Sequence, residues 1–258
     1  MKGIKKGLAI LLVLCTLLSM VAMTGAAAPQ SDDVGDAQTM AADSGTFYKI
    51  VHLDCGRKYF TKDWIIALIN EMAEDGYNQL ELAFGNDGLR FLLNDMSFTV
   101  DGTTYDHNTV VSKVEQGNRD QNSSNDSSWL TQAEMDGIIA AANEKGIEIV
   151  PLLNLPGHAN AILDIFHDQY NASGSNNTFD VTNEKGLKAA MAIFQKYVDY
   201  FASKGCKFFN FGADEYANDA SGSFSFSRLS STDYQKFVTF INGLASYIEG
   251  KSMTPPSL

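Results

Sequence analysis

Two carboxylates stand side by side at Asp214 and Glu215, directly after the apolar run Phe208-Phe209-Asn210-Phe211 and the small pair Gly212-Ala213. Adjacent acids leave the backbone in different directions, so one can exchange protons while the other stays ionised and stabilises positive charge. Acids at a helix N-terminus would look the same, so the pair alone decides nothing. Three other polar clusters change the balance: Asp54 with Arg57, Asn86 with Asp87, and Asn154 with His158. Each follows a short apolar run. The carboxyl ends of parallel strands are where α/β proteins gather their chemistry, and four polar exits on one side of one sheet make a site.

The elements that must hold these exits alternate along the chain. Residues 47–54 read as a strand, after which Trp64, Ile65, Leu68, Ile69 and Met72 recur at helical spacing until Gly76. Residues 80–84 form the second strand. Thr131 caps a helix with Glu134 completing a capping box, and Lys145-Gly146 ends it. Residues 147–153 are the third strand, 183–202 a helix, 208–211 a fourth strand apolar on both faces, and 233–249 the last helix. Residues 98–105 turn at Asp101-Gly102 as a hairpin, and 118–128 read as a polar loop without periodicity. Four strands alternating with helices predict an α/β fold with a parallel sheet of right-handed βαβ units.

The N-terminus carries its own signals. Lys2, Lys5 and Lys6 precede an apolar stretch from Leu8 to Ala22 and the small residues Gly25 to Ala28. The pattern predicts a secretory signal peptide over 1–28 and an extracellular or cell-surface protein. The apolar stretch is too short for a membrane span, so membrane contact is expected only if that segment stays uncleaved. Residues 29–44 are small, polar and acidic and read as a flexible leader, which places the globular part at 45–258. Losing the three lysines makes the formal charge of −12 still more negative, which argues against nucleic acid or an anionic membrane as a partner and suits a neutral substrate such as a sugar. Of three cysteines, Cys55 and Cys206 remain in the mature chain, and both read as buried free thiols. The sequence contains no CxxC, HExxH or calcium-loop pattern, so neither a metal nor another cofactor is expected.

Taken together, Leu53-Asp54-Cys55-Gly56-Arg57, the stretch from Gly85 to Leu93, Pro156-Gly157-His158 and Gly212-Ala213-Asp214-Glu215 resemble the family 20 glycoside hydrolases. These are exo-acting β-N-acetylhexosaminidases with a (β/α)8 TIM barrel. The likeness is greatest to the surface exo-β-N-acetylglucosaminidases of Gram-positive bacteria. The resemblance implies hydrolysis of terminal, non-reducing β-linked N-acetylglucosamine from glycans, without a cofactor and with retention of configuration. By resemblance, Asp214 holds the acetamido N–H while the substrate's own acetamido oxygen attacks the anomeric carbon. Glu215 protonates the leaving oxygen, a role that asks for a carboxyl able to keep its proton, as burial and a neighbouring negative charge favour. Arg57 binds ring hydroxyls through its fork of donors, His158 supports Glu215, and Asp87 orients His158. Many family members carry two aspartates where Asn86-Asp87 stand here.

Only about the first four β/α units of such a barrel are expected before Leu258, because a complete one takes about 250 residues. Half a barrel exposes two long sheet edges, and poor folding, aggregation or rescue by self-association is the expected consequence. Two rival readings follow: a carbohydrate-binding remnant, and a catalytically inactive truncated product.

Overall fold

A computed structural model describes residues 47–121, 125–216 and 229–256. The expected signal peptide and leader therefore lie outside the described residues. The framework is a parallel sheet in which β1 (Ile50–Leu53) and β8 (Glu148–Leu153) flank β2 (Gln79–Asn86). The registers Leu53↔Leu82 and Leu82↔Pro151 align the three strands so that their C-terminal ends lie on one side of the sheet. Helix α1 (Lys62–Glu74) joins β1 to β2, and α3 (Gln132–Glu144) precedes β8. Thr61 caps α1 by accepting from Trp64 N–H. The capping box of Thr131 and Glu134 is present at α3, with Glu134 Oε2 accepting from Thr131 N–H at 2.8 Å.

The fourth strand expected over 208–211 forms only bridges. Asn210 pairs with Leu152 of β8, and Phe208 pairs in parallel with Thr254. Asn210 N–H donates to Pro151 O at 2.8 Å, and Leu153 N–H donates to Asn210 O at 3.1 Å. The segment thus extends the sheet beyond β8, and Thr254 begins a fifth parallel position. No closed barrel forms among the described residues.

The segment is also not apolar on both faces. Phe209 and Phe211 are buried in the core, whereas Phe208 and Asn210 are half-buried on the opposite face. That inner face is polar in part. Glu81 Oε1 lies 2.7 Å from His52 Nδ1, and Glu81 Oε2 accepts from Asn210 Nδ2 at 2.8 Å. Side-chain alternation along a strand explains the difference: one face meets the helices and the other does not.

The helix-facing side holds one aromatic core. Phe84 of β2 packs against Tyr197 and Phe201 of α5 (Glu184–Ser203), with ring centroids 4.9 and 5.5 Å apart, and Phe194 lies 5.3 Å from Phe209. Leu244 and Ile248 of α6 (Ser231–Gly250) belong to the same core. Between β2 and α3 the chain makes β3 (Gly88–Leu89), β4 (Phe91–Leu92), the hairpin β5 (Phe98–Val100) and β6 (Thr103–Tyr105), and β7 (Leu130–Thr131). The hairpin turns at Asp101-Gly102 as expected, with Phe98 stacked on Tyr105 at 4.9 Å.

Two helices were not legible. Helix α2 (His107–Asp120) runs into the stretch read as an unstructured polar loop from residue 118. Its buried face consists of Val110, Val114, Gly117 and Asn118, which leaves too little apolar periodicity to see. Asn118 is fully buried because its amide donates to Leu89 O at 3.0 Å and accepts from Leu89 N–H at 2.8 Å. A short helix, α4 (Asn160–Leu163), follows the third exit. Cys55 and Cys206 are free and buried, and burial first of all pushes both thiols up to about 12.

Candidate active site

All five residues singled out from the sequence meet at the C-terminal ends of the strands. Arg57 follows β1, Asp87 follows β2, His158 follows β8, and Asp214 and Glu215 follow the 208–211 segment. A line of contacts crosses them in that order. Arg57 Nε donates to Asp87 Oδ2 at 2.8 Å, and Asp87 Oδ1 lies 3.1 Å from His158 Nδ1. His158 Nε2 lies 3.3 Å from Glu215 Oε2 and 3.7 Å from Asp214 Oδ2.

A second line runs beside the first, through the other polar residue of each exit. Arg57 Nη1 donates to Asp54 Oδ2 at 3.1 Å, and Asn86 Nδ2 donates to the same oxygen at 3.0 Å. Asn154 Nδ2 donates to Asn86 Oδ1 at 3.3 Å and to Asp214 Oδ1 at 2.7 Å. Asp54, Asn86 and Asn154 are visible in the sequence as polar exits, but their types and spacing assign them no role. Their signal was the same as their neighbours': a polar side chain just past an apolar run.

The backbone of the site is unusual for its residue types. Asp87, His158, Ala213 and Glu215 all adopt positive φ, at 60, 50, 67 and 49°. Non-glycine residues in the left-handed region carry strain that neighbouring contacts must offset. Asp87 N–H donates to His158 O at 2.6 Å, which locks the two strained turns together. Gly88 is required beside them, since a Cβ there would run into Gly56 O.

Electrostatics follow from the contacts. The hydrogen bond to Asp87, helped by the charges of Asp87 and Asp214, raises His158 above the usual imidazole range against the opposing effects of burial and Arg57. Burial alone would raise Asp87. The hydrogen bonds and charges of His158 and Arg57 more than offset it and hold that carboxyl below its usual range. His158 Nδ1 also lies 3.2 Å from Arg57 Nη2. A guanidinium can only donate, so that contact and the one to Asp87 ask opposite states of Nδ1. The raised imidazole favours the protonated state, in which Nδ1–H donates to Asp87 and Nε2–H faces Glu215.

The sequence pattern of the glycosyl hydrolase family 20 catalytic domain matches residues 47–248. The chain belongs to that family. It is 36% identical, with a TM-score of 0.76, to the pneumococcal exo-β-D-N-acetylglucosaminidase StrH, covering 81% of this chain and 52% of that one. Another structure of StrH concerns N-glycan recognition and hydrolysis. Dispersin B shares the fold at 20% identity, with a TM-score of 0.58 over 81% of this chain and 58% of that one. The lacto-N-biosidase of Bifidobacterium bifidum is 27% identical over 138 residues, which are 48% of this chain and 12% of that protein. A β-hexosaminidase of Vibrio vulnificus is 23% identical over 128 residues, 48% of this chain and 15% of that protein. The chain thus spans about half of the StrH structure and a smaller share of both curated relatives.

In this family 20 domain the burial expected around Glu215 is missing among the described residues. The Asp214 and Glu215 side chains are 61 and 60% exposed. His158, Asp214 and Glu215 offer three ligand atoms within 4.8 Å of one another, the one grouping among the described residues that could hold a cation. A separate cavity of about 750 Å³, lined in part by Leu187, Met191 and Phe240, lies between the hairpin and helices α5 and α6, and none of the site residues lines it.

Proposed function

We propose that this chain carries one half of a family 20 (β/α)8 barrel and serves the hydrolysis of terminal β-linked N-acetylhexosamine, N-acetylglucosamine foremost, from glycans. The observation that carries the reading is the unbroken line Arg57–Asp87–His158–Glu215 with Asp214 beside it. Five parallel strand positions, from β1 to Thr254, support the half barrel.

In this reading Glu215 gives its proton to the glycosidic oxygen as the C1–O bond breaks, while the substrate's acetamido oxygen bonds to C1. Asp214 stays ionised and holds the acetamido N–H, which stabilises the positive oxazolinium ring. Water then adds at C1 and loses a proton to Glu215, the ring opens, and the products are the free sugar and the shortened glycan. His158, held by Asp87, presents N–H to Glu215 and favours its ionised form once the proton has left. The half-exposed fork of Arg57, steadied by Asp54 and Asp87, faces sugar hydroxyls.

The basic and apolar N-terminus supports export, and among the described residues no helix is long and apolar enough to cross a membrane. Self-association through the uncovered inner sheet face, where Ile50 is 53% exposed, belongs to the same reading and is measured by sedimentation velocity. The exposure of both carboxylates favours one second reading, sugar binding without turnover, since charge stabilisation needs water excluded.

Release of the alcohol from an alkyl β-N-acetylglucosaminide, whose poor leaving group needs a proton, tests the proposal, with the aryl glycoside as the activated comparison. Turnover by the wild-type chain that falls at least about a hundredfold in Glu215→Gln, with KM little changed, supports it. Undiminished turnover by Glu215→Gln removes the role given to Glu215, and retention on immobilised sugar without turnover supports the binding reading instead.

A further inference from the structure

We propose that Asn154 is a positioning residue that fixes both the carboxylate of Asp214 and the strained strand exit bearing Asp214 and Glu215. This rests on the reading of Asp214 as the group that meets the substrate. Asn154 sits at the end of β8 and is 4% exposed, so its amide must satisfy its hydrogen bonds within the protein. Ala213 N–H donates to Asn154 Oδ1 at 3.1 Å. An N–H can only donate, so this contact sets which way the amide faces. Its Nδ2 is then aimed at Asp214 Oδ1, 2.7 Å away, and at Asn86 Oδ1.

The two ends of one amide therefore do different things. The oxygen holds Ala213, whose φ of 67° is costly for a residue with a Cβ. The nitrogen holds one oxygen of Asp214, leaving the other, Oδ2, toward His158. Gly212 supplies an independent sign that this fit is tight. Its φ is 66°, and a Cβ there would overlap the Asn154 amide. Asn86 in turn supports Asn154 from the neighbouring strand, and Asp54 supports Asn86. Orientation thus passes along the rim from the carboxylate that holds Arg57 to the one beside Glu215.

Asn154→Asp separates the two ends, because it keeps the acceptor for Ala213 and replaces the donor by a carboxylate oxygen facing Asp214. Asn154→Ala removes both. On the aryl glycoside, Asn154→Asp should lower kcat about 10- to 100-fold with KM changed less than about threefold. In an Asp214→Ala background the same substitution should cost less than about threefold, since the partner is gone. Equal losses in both backgrounds would show a merely structural residue and overturn the proposal.

The geometry is also tested without turnover. In ¹⁵N-labelled wild-type chain the Asn154 side-chain NH₂ is assigned by its disappearance in Asn154→Asp. Asp214→Ala alters an exposed side chain, and it should shift the proton of that NH₂ that points at Asp214 upfield. An unmoved resonance overturns the proposal even if hydrolysis is normal. A chain that hydrolyses nothing while showing this shift refutes the hydrolase reading and leaves the Asn154–Asp214 contact established.

Discussion

Replacing Arg90 by Met tests how the first strand exit is held. Arg90 is 1% exposed, yet its guanidinium is engaged on every side. Nε donates to Gly56 O at 2.9 Å, Nη1 to Ser128 O at 2.7 Å and to Asp126 Oδ2 at 3.3 Å, and Nη2 to Asp126 O at 3.1 Å. Nη2 also reaches Asn118 O, in the last turn of α2, at 3.4 Å. One side chain therefore ties the turn that presents Arg57 to helix α2 and to the residues before β7. Stranding one member of a buried ion pair costs about 3–5 kcal/mol. Asp126 is 33% exposed and regains water, which removes part of that cost. Gly56 is buried, and the loss of its donor adds about 1–3 kcal/mol. The net expectation is about 3 kcal/mol, which lowers the urea midpoint by roughly 1.5 M for a slope of about 2 kcal/mol/M. Arg90→Lys keeps the charge but not the fork, and it should recover less than half of the loss. A midpoint shift for Arg90→Met below about 0.5 M would refute the reasoning, since it would mean that water or repacking serves these acceptors equally well.

Two predictions concern pH. Burial, with Asp168 and Asp120 nearby, raises the Asp164 carboxyl to about 6. The folded state then holds a proton that the unfolded chain releases near pH 3.9, so stability falls as pH rises from about 3.9 through about 6. Asp164→Asn should remove that slope and gain on the order of 1–3 kcal/mol at neutral pH relative to its effect at acid pH, measured by urea unfolding; an equal effect at both pH values refutes it. For His158 the folded value is raised, so its contribution is fully present below the unfolded value of about 6.5 and is lost as pH rises through the folded one. His158→Gln should therefore cost more stability at about pH 6 than at about pH 8. Thermal unfolding at the two pH values checks this, and a loss independent of pH shows that the charge on His158 is not what Asp87 holds.

The positions of the exits were readable because each puts a polar side chain just beyond a short apolar run. The capping box at Thr131 and the turn at Asp101-Gly102 were readable for a related reason: both are local and need only a few neighbouring residues. Helix α2 failed the same test. Its buried face includes Gly117 and Asn118, and Asn118 is internal only because Leu89, far away in the chain, satisfies its amide. The segment 208–211 was misread as apolar on both faces since Asn210 looks like an intruder until Glu81, on another strand, is seen to accept from it. Arg90 gave no sign of burial at all, because its four partner residues come from three separate segments.

By itself, the sequence determined the order of the sheet strands and of helices α1, α3, α5 and α6, the side of the sheet on which polar groups collect, and the residue types available for chemistry. Those follow from hydrophobic periodicity and from the direction of parallel strands, which are properties of short stretches. Only the tertiary structure decided how the eight exit residues divide into two lines of contact. That division depends on strand register, which sets Leu53 beside Leu82 and Leu82 beside Pro151. It depends equally on left-handed backbone at Asp87, His158, Ala213 and Glu215, conformations that their side chains disfavour. Contacts between residues far apart in the chain hold them there, and such contacts leave no local trace.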